Sequence, residues 1–331
     1  MKRKILLGAA VLAVVCTGAY FRFLRPRTPR AVAYAGNRQV TLWSATAQVR
    51  EPVTTVNFGD RLDVLGHFQD RVKVRTVNGI TGWVGQNDLL SADVWQRARE
   101  LDLKTAAMPV QARGHTKTIS NLHIEAGRES PRIRQLSKTI PVDLVEREAV
   151  EVPASSAGEE ADEGPAEAKK EDWWLVHVHA PDQPSLSGWM LGRFIDLDVP
   201  APLPDFASSS GMHIVGWFVL NNVVDSSGAL KPQYLVVGVR GSEGQPCDFT
   251  LIRVFTWSGQ RKRYETAFVK SDACGKLPVI VTRASSPGGD ASFSFDELGR
   301  GAPEVRAYHM HQTIVRREIE SGARGASKYP R

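Results

Sequence analysis

The chain has 331 residues, 42% hydrophobic and 24% charged, which excludes a polypeptide disordered throughout and leaves room for two to four domains. Forty-two basic residues against 36 acidic give a formal net charge of +6, and part of that excess is local, with Lys2, Arg3, Lys4, Arg22, Arg25, Arg27 and Arg30 close to the N-terminus. A nucleic-acid binder keeps its charge on a folded face interleaved with aromatics, so no nucleic-acid partner is expected.

The first element follows Lys2-Arg3-Lys4. Residues 5–21 carry no charge, and 17 residues is the short limit for crossing a bilayer, which takes roughly 17–25. The pattern predicts an uncleaved N-terminal transmembrane helix and a short Arg- and Pro-rich stalk to residue 30. A cleaved leader is the alternative, with Thr17 and Ala19 weak matches to the small residues a cleavage site requires. A lipoprotein site at Cys16 meets a branched Val14 and Val15 where small residues belong. Beyond Cys16, only Cys247 and Cys274 remain, and one pair in an exported domain predicts a disulfide. Two buried free thiols are the competing reading. Together these features predict an inner-membrane protein held through residues 5–21, its bulk periplasmic or otherwise extracytoplasmic.

Residues 31–90 read as a β module, with Val40, Leu42, Val49, Phe58, Leu62, Val64, Val72, Val74, Trp83, Val84 and Leu89 at strand spacing. Ser91 caps a helix over 92–108, closed by Pro109, with Val94, Trp95, Ala98, Leu101 and Leu103 loosely on one side and Trp95 as a packing anchor. Residues 110–198 form a second β module, interrupted at 151–172 by a Glu- and Ala-rich stretch without aromatics before Trp173, expected to be disordered. Residues 199–204 are a stiff Pro-rich linker. Strand-like runs from 205 to 320, with a hairpin over 249–269 and a final run over 305–316, predict an antiparallel sheet or sandwich. The tail, 321–331, is expected to fray.

The two modules share a pattern. In the first it reads Phe58-Gly59, Leu62, Val64, then Val72-Lys73-Val74, then Gly82-Trp83-Val84 and Leu89. In the second it reads Leu136, Ile140, Val142, then Trp174 and Val176, then Gly188-Trp189 and Ile195. This duplicated pattern resembles the bacterial Src-homology-3 domain, over about half the chain, with Ser137 in place of the motif glycine in the second copy and Asp70-Arg71 where the first would have an aromatic. The resemblance implies a mainly β protein: the N-terminal helix, two small Src-homology-3-like barrels joined by a helix, then the antiparallel β domain. It also implies binding of cell-wall peptide. Trp83, Trp174 and Trp189 are the candidate ligand-binding residues, with core packing at the barrel seam as the alternative. The glycine before each Gly-Trp tryptophan is expected to permit close approach of the sheet.

No serine-hydrolase elbow, zinc-protease or phosphate-loop motif occurs. His177 with His179, and His309 with His311, sit two apart on strands and share a face. Polar residues on a wet face account for them, and no metal or cofactor is expected. The expected function is a membrane-tethered envelope binding or adaptor protein whose partner is the cell wall or a peptide. One alternative is a cell-wall hydrolase using Cys274 with His309 or His311. Another is a spacer that binds nothing.

Overall fold

The computed structural model describes residues 31–152, 169–179, 184–299 and 301–318. The chain divides into two compact units, one ending at Trp95 and the other beginning at Gln96.

The first unit is built on β1 (Ala31–Ala35), β2 (Gln39–Trp43), β3 (Pro52–Asn57), β4 (Arg61–Phe68), β5 (Arg71–Thr76), β6 (Thr81–Gly85) and β7 (Leu89–Ser91). They form one antiparallel sheet in the order β3-β2-β6-β5-β4-β1-β7. Side chains alternate across a strand, so Val40 and Leu42, Leu62 and Val64, Val72 and Val74, and Val84 all fall on one face and make one buried cluster. A single sheet that supplies every wall of its own core must curl around it. The strand order ends on β3 and β7 without closing, so the expected barrel is an open half-barrel. A Cβ at Gly82 would stand 2.8 Å from Leu42 Cβ, which is why β2 and β6 can meet there.

Helix α1 (Ala92–Ala106) begins where Ser91 predicts, its Oγ accepting the Val94 N–H at 3.2 Å. Trp95 stacks on Tyr34 at 5.0 Å and meets Phe58 edge-on at 5.5 Å, as a packing anchor should. Leu103, placed by its spacing with the apolar residues of the helix, is exposed, as is Val49 of the first module.

The second unit repeats the first sheet. β8 (Ala112–Thr116), β9 (Ser120–His123), β10 (Arg132–Leu136), β11 (Pro141–Glu151), β12 (Lys170–Val178), β13 (Leu186–Leu191) and β14 (Ile195–Leu197) pair in the order β10-β9-β13-β12-β11-β8-β14, strand for strand the same arrangement. Even the register slip recurs, between Val64 and Gly66 in β4 and between Leu144 and Glu146 in β11. Gly188 repeats the role of Gly82, its missing Cβ leaving room for Leu122 and the His123 carbonyl at 3.1 Å.

Two four-stranded meanders follow. β15 (His213–Val224), β16 (Leu230–Val239), β17 (Leu251–Ser258) and β18 (Arg263–Lys270) form one sheet. β19 (Gly275–Thr282), β20 (Ala291–Glu297), β21 (Glu304–His311) and β22 (Ile314–Arg317) form the other. Leu220, Leu235, Val237 and Val254 of the first share a core with Val279, Phe293, Phe295 and Tyr308 of the second, so the domain is a sandwich. Gln111 seals it to the second module. Its side-chain oxygen accepts from the Val279 N–H at 2.7 Å, and its backbone carbonyl accepts from the Trp217 N–H at 3.3 Å.

Several expectations need correction. Among the described residues the helices are α1, of 15 residues, and α2 (Leu203–Ser209), of 7, and no helix is long and apolar enough to cross a membrane. No helix among the described residues thus supplies the expected N-terminal transmembrane helix, and the inner-membrane placement built on it is not supported. Residues 5–21 themselves lie outside the described residues, as do 153–168 of the Glu-rich stretch and the 321–331 tail. Glu151 and residues 170–172 of that stretch are strand, because β11 and β12 pair as far as Glu151 with Lys170. The 199–204 linker is packed rather than free: Leu203 is buried, with Ala207, against Tyr234 and Phe255. The run over 305–316 is a hairpin. It turns at Gln312, whose φ of 56° supplies the left-handed residue without any glycine to signal it.

Candidate functional site

The duplicated sheet allows position-by-position comparison of its two outer faces. Lys73 lies opposite Trp83 in the β5–β6 ladder, and Leu175 opposite Trp189 in β12–β13. Trp43 lies opposite Trp83, and His123 opposite Trp189. Arg71 corresponds in the same way to Trp173. One scaffold thus carries two different surfaces.

On the first module that surface is aromatic and cationic. Val72, Val74 and Val84 point into the core, so Lys73 and Trp83 point away from it, and Trp43 does likewise next to Leu42. Trp43 and Trp83 are both half-buried. The Lys73 ammonium sits 5.7 Å from the Trp83 ring centre, and the Arg50 guanidinium 4.6 Å from that of Trp43. Neighbouring cations on this sheet are neutralised: Arg61 and Arg75 both reach Asp63, and Arg71 lies 3.7 Å from Asp70. Among the described residues, Lys73 and Arg50 have no carboxylate within ion-pair distance. Two aromatic faces, each with an uncompensated cation, can take an anionic group held against a flat or apolar body.

On the second module the equivalent face is apolar and filled. Trp173, Leu175 and Trp189 form a buried cluster with Val145, and Leu101 and Met108, from α1 and the turn after it, pack onto them. Trp189 is 7% exposed and Trp173 2%. Trp174 is also 7% exposed and faces the other way, toward the module's interior, where Gly192 allows close approach to its indole at 3.0 Å. The structure thus leaves Trp83 on an accessible face of the first unit and gives Trp174 and Trp189 packing roles on opposite faces of the second module's sheet.

Trp174 floors a cleft of about 450 Å³ between the second module and the first C-terminal sheet, lined also by Leu144, Ile195, His213 and Val239. Of the charged groups that line it, Arg147, Asp172 and Arg193 are held in ion pairs, whereas Glu243 has none among the described residues. Arg147, 3% exposed along its side chain, donates to Asp172 at 2.6 Å and to Asp248 at 2.9 Å, and to the carbonyls of Gln245 and Cys247. Asp248 also accepts from Lys276 at 2.7 Å and from the Leu277 N–H at 2.9 Å. Arg128 and Arg193 share Glu171. The hydrogen bond from Arg128 outweighs the cost of burial, and with Arg193 it holds the carboxyl at about 2. This network fastens the loop of the Cys247–Cys274 disulfide to the second module.

The remaining chemical candidates resolve as structure. The thiol of Cys274 is consumed in the disulfide, so it is not free to serve as a nucleophile beside His309 or His311. His309 and His311 both turn to Asp290, at 3.6 and 2.5 Å, and His179 bonds Asp143 at 2.8 Å. One constellation was not legible in the sequence: Asp102 of α1, Ser187 and His177. Ser187 Oγ donates to Asp102 at 2.9 Å, and His177 Nδ1 lies 3.0 Å from that oxygen and 3.5 Å from Asp102. One ring nitrogen faces both partners and Ser187 is wholly buried, so no proton relay runs through the imidazole. Ser185 and Ser187 instead tie α1 to β13 through Asp102.

Sequence reasoning also missed Trp43 and Arg50. The period-two alternation places Trp43 opposite in sense to Leu42, but its pairing with Trp83 requires β2 to lie beside β6, which no local signal gives.

No protein-family model matches the chain. No curated protein matches it either. Among solved structures it is similar to NlpC2 and NlpC1 from Trichomonas vaginalis, each at 9% identity, with TM-scores of 0.18 and 0.17. Those matches cover 87% and 73% of this chain and 99% and 91% of the others. An NlpC/P60 family protein from Bacillus cereus is 13% identical with a TM-score of 0.22, over 83% of this chain and 93% of that one. Likeness this slight transfers neither fold nor function.

Proposed function

We propose that this is a cell-wall-related binding protein in which the first module carries the ligand and the second serves as scaffold for the C-terminal sandwich. Both modules are read as bacterial Src-homology-3-type sheets, on the repeated Gly-Trp motif and the shared strand order. One observation carries the assignment. The same outer face is sealed by Leu101 and Met108 in the second module, whereas in the first it presents Trp43, Trp83, Lys73 and Arg50 with no internal counter-charge among the described residues. A sealed face needs apolar residues; unpaired cations above half-buried indoles cost desolvation unless a ligand meets them. A peptide bearing carboxylates, such as a cell-wall peptide, fits this chemistry, its backbone lying across the indoles and an acid group between the cations.

The test is retention of the purified full chain on isolated cell wall. The double variant Trp43→Ser with Trp83→Ser should lose at least roughly tenfold in retention, the weight of about 1.4 kcal/mol. Lys73→Glu should weaken retention and flatten its salt dependence. Undiminished retention by a double variant that still unfolds cooperatively removes the proposal.

A further inference from the structure

The outer face of the β15–β18 sheet carries a second aromatic surface, remote in sequence from the first. Helix α2 covers part of it, Phe206 stacking on Phe255 at 4.9 Å. Near the β17–β18 turn, Trp257 meets Tyr264 edge-on at 5.3 Å, and Tyr264 lies 5.8 Å from Tyr234. Trp257 and Tyr264 are half-buried. Among the described residues the Trp257 indole N–H is buried without an acceptor, whereas the hydroxyls of Tyr234 and Tyr264 are not among the buried unpartnered groups. A tryptophan placed this deep ordinarily satisfies that group. Burial, with Tyr234 nearby, pushes the Tyr264 hydroxyl up to about 12, so it remains a donor at any physiological pH.

The charge at this end of the sheet is also unbalanced. Arg261 and Arg263 are both satisfied by Glu265. Lys231, whose ammonium lies 4.8 Å from the Trp257 ring centre, and Lys262 have no carboxylate within ion-pair distance among the described residues. Asp225 feels both at longer range, which helps to hold its carboxyl below the usual value after its bonds to Ser227 and Ser226. Aromatic faces beside phenol hydroxyls suit a ligand with an apolar face and a hydroxylated rim, and two spare ammonium groups suit a carboxylate on it.

We propose that this surface binds an acidic saccharide. A sugar ring packs on Trp257 and Tyr264, its hydroxyls bond the phenols, and its carboxylate is held by Lys231 and Lys262.

Calorimetric titration of the full chain with trigalacturonic acid and with a neutral cello-oligosaccharide tests this. The acidic sugar should bind roughly tenfold more tightly than the neutral one. Trp257→Ala should weaken both by a similar factor. Lys231→Gln with Lys262→Gln, on exposed or half-exposed positions that leave the fold intact, should bring the acidic sugar down to the neutral level. The Trp43→Ser and Trp83→Ser variant should bind both as before, so failure here is distinct from failure of the first-module site. Absence of binding, equal binding of both sugars, or binding indifferent to Trp257→Ala overturns the proposal.

Discussion

Arg147 offers the sharpest test of how the second unit is held together. Its guanidinium is 3% exposed and divides itself among Asp172, Asp248 and two carbonyls, Gln245 and Cys247. Arg147→Leu preserves much of the apolar stem and removes every one of those bonds. Asp248 would keep Lys276 and the Leu277 N–H, and Asp172 would keep the Gly244 N–H at 2.8 Å, so neither acid is stranded outright. The two carbonyls would lose their donor. Breaking one side of a buried pair costs about 3–5 kcal/mol, and the surviving partners argue for the lower end, about 3 kcal/mol. For a unit of this size each kcal/mol moves the midpoint by about 2–4 °C, so scanning calorimetry should show a fall of about 6–12 °C. The fall should appear only in the transition of the second unit, with the first module's transition as internal control. A shift under about 2 °C, or an equal shift in both transitions, refutes the claim that this network fastens sandwich to module.

Glu171 predicts a pH dependence. Its carboxyl is held at about 2 against an ordinary 4.5, so its contribution is complete above the ordinary value and disappears as the pH falls through the folded one. That shift corresponds to about 3 kcal/mol. The stability gap between the native chain and Glu171→Gln, read by urea denaturation, should therefore narrow steadily from about pH 5 downward; a gap independent of pH contradicts the assignment. Gly59 predicts a backbone effect. Its φ is +83° and a Cβ there would stand 2.6 Å from the Trp95 ring, so Gly59→Ala should cost the first module about 2 kcal/mol in the same measurement. A neutral Gly59→Ala would mean that Trp95 does not pack as described.

Much of this was legible before any coordinates. The duplication came from spacing alone, because a half-buried strand must alternate and a sheet that curls back needs glycine where strands meet, as at Gly82 and Gly188. Ser91 announced α1 through its cap, and the pair Cys247 and Cys274 announced the bridge. Local chemistry failed where conformation had no local signal. Gln312 turns a hairpin without glycine, and Leu203 buries a segment whose prolines promised an extended linker. The N-terminal apolar run pointed to a membrane helix that no helix among the described residues supplies.

The candidate site divides along the same line. Period-two alternation tells which side of its own strand a residue takes, and so it set Trp83 opposite in sense to Val84 and Lys73 opposite to Val72 and Val74. It cannot tell which face stays open, since that depends on strands distant in sequence and on what packs over them. β2 must lie beside β6 before Trp43 and Trp83 form a pair, and α1 must fold over β12 and β13 before Trp189 becomes core. Alternation is set by the stereochemistry of each residue, whereas exposure is set by the company the whole sheet keeps.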